Sequence, residues 1–203
     1  GGLPARWGRR VVRQEDVRRE ARAAEPTALG GMLAGGVNAP GTPSAGRLCD
    51  GVAAFAGVRA RSTFEGQAAM ELEFAVDLAT TDSYPFALRE GKPLVIDWEP
   101  AMRAILDDRS RQTNTGTIAA RFHHMLADAI LAVAHHFGKS KVVLSGGCFQ
   151  NRSLTERVND RLREAGFSTS WNQRVPPKAG GISAGRGGQA GRRLREPALV
   201  GAR

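Results

Sequence analysis

Lys141-Val-Val-Leu-Ser-Gly-Gly-Cys-Phe-Gln-Asn-Arg152 joins a strand pattern to a helix pattern through a Gly-Gly turn. Val142, Val143 and Leu144 form a short apolar run that suits a buried parallel strand. Gly146 and Gly147 permit a sharp turn and let a ligand come close to the backbone. From Asn151 to Ala165, the apolar residues Leu154, Val158 and Leu162 recur on one helical face. The free N–H groups and the dipole at such a helix start favour an anion or a phosphate. A Gly-Gly strand exit also serves plain packing in many α/β proteins, so on this stretch alone a ligand turn and a packing turn stand level. A second glycine-rich segment, Val175-Pro-Pro-Lys-Ala-Gly-Gly-Ile-Ser-Ala-Gly185, follows.

Working outward, helical and strand patterns alternate. Arg13–Ala24 reads as a surface helix, and Gly30–Ser44, rich in Gly and Pro, as a connector. Ser44–Val58 reads as a helix with Ser44 as its N-cap and Leu48, Val52 and Phe55 at helical spacing. Glu65–Ala79 reads as a second helix, opening at Gly66-Gln67. Tyr84–Ile96 alternates apolar and polar residues around Glu90-Gly91-Lys92, the pattern of a hairpin. Glu99–Asp108 is a short helix, and Thr117–Phe137 a long, largely apolar one that crosses the core. Phe167–Trp171 is a strand and Gly180–Ala190 a last glycine-rich helix. Helices interleaved with short strands point to an α/β layered lobe.

The chain has 203 residues, 41% of them hydrophobic, enough to build a core. Its formal charge is +9, from 29 basic and 20 acidic residues. Much of the excess is arginine near the two ends. A single aromatic residue, Trp7, interleaves with it, too few for a stacking platform, which favours a solvated basic surface over a nucleic-acid interface. Cys49 and Cys148 are the only cysteines. They make neither a disulfide framework nor a zinc spacing, and so suggest a reducing, cytoplasmic setting. No apolar stretch is long enough to span a membrane. The opening Gly-Gly-Leu-Pro-Ala-Arg reads as an arbitrary cut into a longer protein.

Read together, the blocks resemble the C-terminal part of the HypF carbamoyltransferase family, which serves nickel–iron hydrogenase maturation. They are Gly36-Val-Asn-Ala-Pro, Ser44-Ala-Gly-Arg-Leu-Cys-Asp50-Gly-Val-Ala-Ala, Phe64-Glu-Gly-Gln-Ala-Ala-Met-Glu-Leu-Glu73, Tyr84-Pro-Phe, Ile96-Asp-Trp-Glu-Pro100, Ile118-Ala-Ala-Arg-Phe-His123, Val142 to Asn151, and Val175-Pro-Pro followed by Gly-Gly-Ile. The resemblance covers roughly residues 30–190. It implies the second lobe of an actin/hexokinase-like (ASKHA) carbamoyltransferase domain, related to the proteins that make threonylcarbamoyl-tRNA. On that reading residues 1–30 are a basic segment left from a preceding lobe, 31–190 the lobe itself, and 191–203 a basic tail.

The family's cleft holds ATP or carbamoyl-adenylate and passes the carbamoyl group to the C-terminal cysteine of a HypE-like partner. Carried over by motif, Asp50 matches the carboxylate at the ribose hydroxyls, where it can accept two hydrogen bonds. Glu65 and Gly66 match the loop against the nucleoside, and Gly146, Gly147 and Asn151 the nucleotide-binding turn.

The departures are as pointed as the matches. The family pattern Val-Pro-Pro-Asn-Asp-Gly-Gly-Ile carries a metal-ligand Asp where this chain has Ala179, with Lys178 in place of the Asn and, further on, Arg186 in place of a Gln. Ala179 cannot coordinate a cation. The family's histidine ligands lie in the preceding lobe, and no such motif occurs here. The pairs His123-His124 and His135-His136 do not converge, since adjacent helix residues point about 100° apart; they read as partly exposed helix histidines. Cys148 stands where the family usually has Val and reads as a small buried cysteine rather than a nucleophile. Two functions follow as expectations: a carbamoyltransferase lobe that acts only when joined to the first lobe and is inactive alone, or a non-catalytic remnant serving as a nucleotide-binding or interaction module.

Overall fold

The computed structural model describes residues 44–171 and, before them, Gly35. The expected helices Arg13–Ala24 and Gly180–Ala190, most of the Gly30–Ser44 connector, and Lys178, Ala179 and Arg186 lie outside them. Helix α1 spans Ala45–Phe55, and Ser44 caps it, accepting from the Arg47 N–H at 3.4 Å. Helix α2 spans Gln67–Phe74. Strands β1 (Ala87–Arg89) and β2 (Val95–Asp97) pair antiparallel as the predicted hairpin, with Leu88 opposite Ile96. Helix α3 is Glu99–Ser110, and α4 is Thr115–Phe137. Strand β3 (Lys141–Leu144), a 3₁₀ turn at Gly147–Gln150, helix α5 (Arg152–Glu164) and strand β4 (Ser168–Trp171) complete the described chain. Strands β3 and β4 run parallel, Lys141 beside Ser168 and Leu144 beside Trp171, so β3–α5–β4 is a βαβ unit.

Two hydrophobic clusters share one helix. The first gathers Val52 of α1, Leu72 of α2, Ile105 of α3 and Ile118, Phe122 and Met125 of α4. The second gathers Ala127 and Ala134 of α4, Leu144 of β3 and Leu154, Val158 and Leu162 of α5. At 23 residues, α4 is about 34 Å long and threads both. Its limits are set locally. Asn114 accepts from the Gly116 N–H at 2.7 Å, and Gly138 ends the helix in the left-handed region at φ 60°.

Three expectations change. Helix α2 stops at Phe74 instead of reaching Ala79, because α4 meets the chain there: Asp77 donates its N–H to the Gly116 carbonyl, and a Cβ on Gly116 would lie 2.8 Å from the Ala75 oxygen. The Asp77 carboxylate then closes its own turn by accepting from the Ala79 N–H and the Thr80 hydroxyl. The run Val142–Leu144 is a strand, yet only Leu144 is buried; Val143 is 70% exposed because α4 and α5 cover a single face of the pair. Lastly, His123 and His124 are buried, at 2% and 5% exposure, whereas His135 and His136 are exposed as expected. Cys148 is half-buried.

Candidate functional site

The Gly-Gly turn delivers the chain to the start of α5, and the polar groups there are taken up from within. The backbone N–H groups of Arg152 and Ser153 donate to Glu73 Oε1, at 2.6 Å and 3.1 Å, from the end of α2. The third, on Leu154, donates to Asn151 Oδ1 at 2.7 Å. A carboxylate on a helix start is the charge the dipole favours. Glu73 therefore stands where an incoming anion would bind, and the anion expected from the sequence finds those three donors engaged.

Asn151 reaches further. Its Nδ2 lies 2.8 Å from Nε2 of His123, whose Nδ1 lies 2.8 Å from the Ala119 carbonyl. A carbonyl only accepts, so Nδ1 carries the proton, Nε2 accepts, and the Asn151 nitrogen donates. The Asn151 oxygen on the Leu154 N–H agrees with that orientation. Burial lowers the pKa of His123 from its ordinary 6.5; the Ala119 bond and the charge of Glu73 oppose this, while His124 adds to it. His124 is likewise lowered, first by burial, and its Nδ1 meets the Asp82 carbonyl at 2.7 Å.

The residues expected at a nucleotide fall into two places. Asp50 is half-buried on α1, 3.6 Å from the Arg47 guanidinium. Its neighbour Cys49 sits near Cys148: burial pushes the Cys49 thiol up to about 12, and Cys148 adds to the rise. Helix α1 thus meets the turn that holds Gly147. Gly146 has φ 105°, a conformation L side chains rarely adopt, and open space where a Cβ would be. Gly147 is exposed and Asn151 half-buried. Glu65, which is exposed, and Gly66, at φ 83°, head α2 at the end away from Glu73, about 10 Å along its axis.

Sequence reasoning passed over His123 and Glu73. The signal for the first was a His pair inside an apolar helical run; for the second, a third glutamate at the end of the Phe64–Glu73 block.

Two other features complete the surroundings. A hollow of about 410 Å³ opens between the turn, α5 and β4, with Phe149, Arg152, Asn159, Asp160 and Trp171 among its walls. It includes none of the six expected residues. Between α3, α4 and the loop before β1, Asp108 accepts from the Tyr84 hydroxyl and the Arg121 guanidinium, both at 2.7 Å. Burial alone would raise Asp108; those two hydrogen bonds outweigh it and hold the carboxyl below its ordinary value. Burial, then the Asp108 bond, pushes the Tyr84 hydroxyl upward. This network ties α3, α4 and the loop before β1 together, and Arg121 extends it to Asp82, whose carbonyl meets His124. Among the described residues, no group of three or more His, Cys, Asp or Glu side chains is placed to hold a metal ion. No helix among them is long and apolar enough to cross a membrane.

The model of the second subdomain of the Kae1-like carbamoyltransferase domain matches residues 6–186. Carbamoyltransferase HypF of Synechocystis sp. is 43% identical over 150 residues, 72% of this chain and 19% of that protein. The HypF of Rhizobium leguminosarum is 35% identical over 164 residues, 78% of this chain and 21% of that one. The crystal structure of full-length HypF in its phosphate- and nucleotide-bound form superposes with a TM-score of 0.79 at 34% identity, covering 85% of this chain and 23% of that one. The chain spans about a fifth of the length of the curated relatives it matches.

Proposed function

This chain belongs to the HypF carbamoyltransferase family, and on that premise we propose that it supplies one wall of a nucleotide site for carbamoyl transfer. The observation that carries the reading is the Asn151 amide, held in one orientation beside the open Gly146 turn and faced by α1. Asn151 still has one N–H and one lone pair to offer a ligand. Asp50 would hold the ribose hydroxyls. Glu73 repels phosphate from the start of α5, so ATP or carbamoyl-adenylate presents its sugar or base here, and its phosphates extend away from α5.

The opposite wall belongs to a first subdomain, and the acceptor is a HypE-like protein whose C-terminal cysteine takes the carbamoyl group on the way to the hydrogenase cyanide ligands. A single wall leaves the ligand hydrated on its open side, so the chain alone binds ATP weakly and transfers nothing. Among the described residues no such group is placed to hold the divalent metal of the family, and Ala179 stands where its Asp ligand would be. That substitution favours a second reading, a non-catalytic nucleotide-binding or interaction module.

Carbamoyl-phosphate-dependent ATP turnover, measured with divalent metal present, tests the proposal. The expected rate for the unmodified chain equals a heat-killed control, and Ala179→Asp alone leaves it there. Turnover well above that control, or tight ATP binding by calorimetry, would return the isolated chain to the enzymes and refute the one-wall account.

A further inference from the structure

We propose that His123 is the positioning residue of this site: its Nε2 fixes which way the Asn151 amide is turned, and so which hydrogen-bond groups the turn shows a ligand. The inference rests on the nucleotide reading above and deepens it.

The geometry leaves one self-consistent arrangement. Ala119 forces the proton onto Nδ1, Nε2 accepts from Asn151 Nδ2, and Asn151 Oδ1 accepts from the Leu154 N–H. Rotating the amide by half a turn would set its oxygen against the Nε2 lone pair and its NH₂ against the Leu154 N–H. Both hydrogen bonds would be lost, and buried partners left unsatisfied are costly. With His123 neutral, the amide is therefore locked. Protonating Nε2 puts two donors face to face. The amide must then turn, which uncaps α5, or move away.

The surroundings resist that protonation. His123 is 2% exposed, and burial keeps its pKa below 6.5. The charged or titratable groups acting on it are Glu73 from α2, which favours the proton, and His124 on α4, which disfavours it; α5 presents the uncharged Asn151. The sign follows: the lock is closed at neutral pH and opens only as pH falls through the lowered His123 pKa, on the acid side of the ordinary histidine value.

Adenosine is the suitable probe, because it has no group that titrates between pH 5 and 8. Its binding to the full 203-residue chain is followed by amide shifts at Gly146, Gly147 and Asn151, in the parent, His123→Gln and His123→Phe. The Gln oxygen reaches the place of Nε2, accepts, and does not titrate. Phe fills the volume without accepting. Parent affinity is expected to fall from pH 7.5 to 5; H123Q keeps the pH 7.5 affinity within about twofold and loses the pH dependence; H123F binds about tenfold more weakly throughout, the size of one hydrogen bond. Equal effects of H123Q and H123F would overturn the proposal.

Should H123F fail to fold, nitrogen-15 spectra of the parent decide. The proposal requires an unprotonated Nε2 at pH 7 and two distinct Asn151 amide protons that change in step with His123 titration. A proton on Nε2 at pH 7, or an Asn151 amide indifferent to that titration, refutes it. No adenosine binding at pH 7.5 would remove the nucleotide reading and with it any role of His123 in a site, while the nitrogen-15 spectra separately report whether the lock exists.

Discussion

The two halves of α4 carry the same dipeptide and treat it in opposite ways. His123-His124 is buried; His135-His136, three turns on, is exposed. Along the first half α1, α2 and α3 pack against the helix, and the start of α5 closes over it through Asn151. Along the second half, among the described residues, only the βαβ unit lies against it, on one side, and His135 merely edges the Phe167 ring at 5.1 Å. A histidine in the first half must find partners for both ring nitrogens, whereas one in the second half can use water. Packing, more than residue type, makes one pair a structural joint and the other a surface feature.

The largest expected effect comes from the crowded half. Phe122→Ala empties a fully buried ring and should cost about 3–5 kcal/mol in urea unfolding. On the βαβ side, Leu162→Ala removes one fully buried residue of the second cluster and should cost about 2–4 kcal/mol. Asp108→Ala takes away the acceptor shared by the Tyr84 hydroxyl and the Arg121 guanidinium; Arg121 is a quarter exposed and keeps its pairing with Asp82, so the cost should be about 1–3 kcal/mol. If the βαβ side proves the more fragile, the ranking of the two halves is wrong.

Acid should probe the joint next. His123 and His124 have folded pKa values below their ordinary 6.5, so the unfolded chain binds the extra protons as pH falls. Their contribution is fully present above about 6.5 and drains away below it. Urea midpoints at pH 7.5 and 5.5 should therefore differ, and His123→Gln should shrink the difference. Asp108, also lowered, acts in a lower window: its contribution is present above its ordinary 3.8 and is lost as pH drops further. A midpoint that is flat from 7.5 to 5.5 would contradict the burial of the pair. The smallest effect is at Val143→Thr, on the exposed face of β3, expected within about 0.5 kcal/mol of the parent. A loss of 2 kcal/mol there would mean that the face is covered in solution.

What the sequence made legible was local. Ser44, Asn114 and Asn151 cap helices, Gly138 ends one, and Leu154, Val158 and Leu162 mark a buried stripe, because each signal acts within a turn or two of the chain. Ser44 and the α5 stripe were read directly; Asn151 was read as a ligand residue and proves to be a cap as well. Asn114 and Gly138 were not read, and the long helix starts at Thr115, two residues before the expected Thr117. The resemblance pointed to the Gly146–Asn151 turn without showing what surrounds it. Glu73 meets α5 across 79 and 80 residues, and His123 meets Asn151 across 28; no local pattern announces such contacts. The early end of α2 has the same origin, since Gly116 arrives from another helix. Val143 looked buried because an apolar run cannot say how many of its faces are covered.

The central claim is that the turn from Gly146 to Asn151 is one wall of a nucleotide site, taking the sugar or base and not the phosphates. A titration of the chain with ATP, followed by backbone and side-chain amide shifts, tests it most directly. The account predicts saturable shifts at Gly146, Gly147, the Asn151 side chain and Asp50, weak affinity near 1 mM or above, on the order of −4 kcal/mol, and little change at the Arg152 and Ser153 N–H groups that Glu73 holds. Shifts centred on Arg152 and Ser153 with Glu73 displaced, or none at the turn at all, would contradict it.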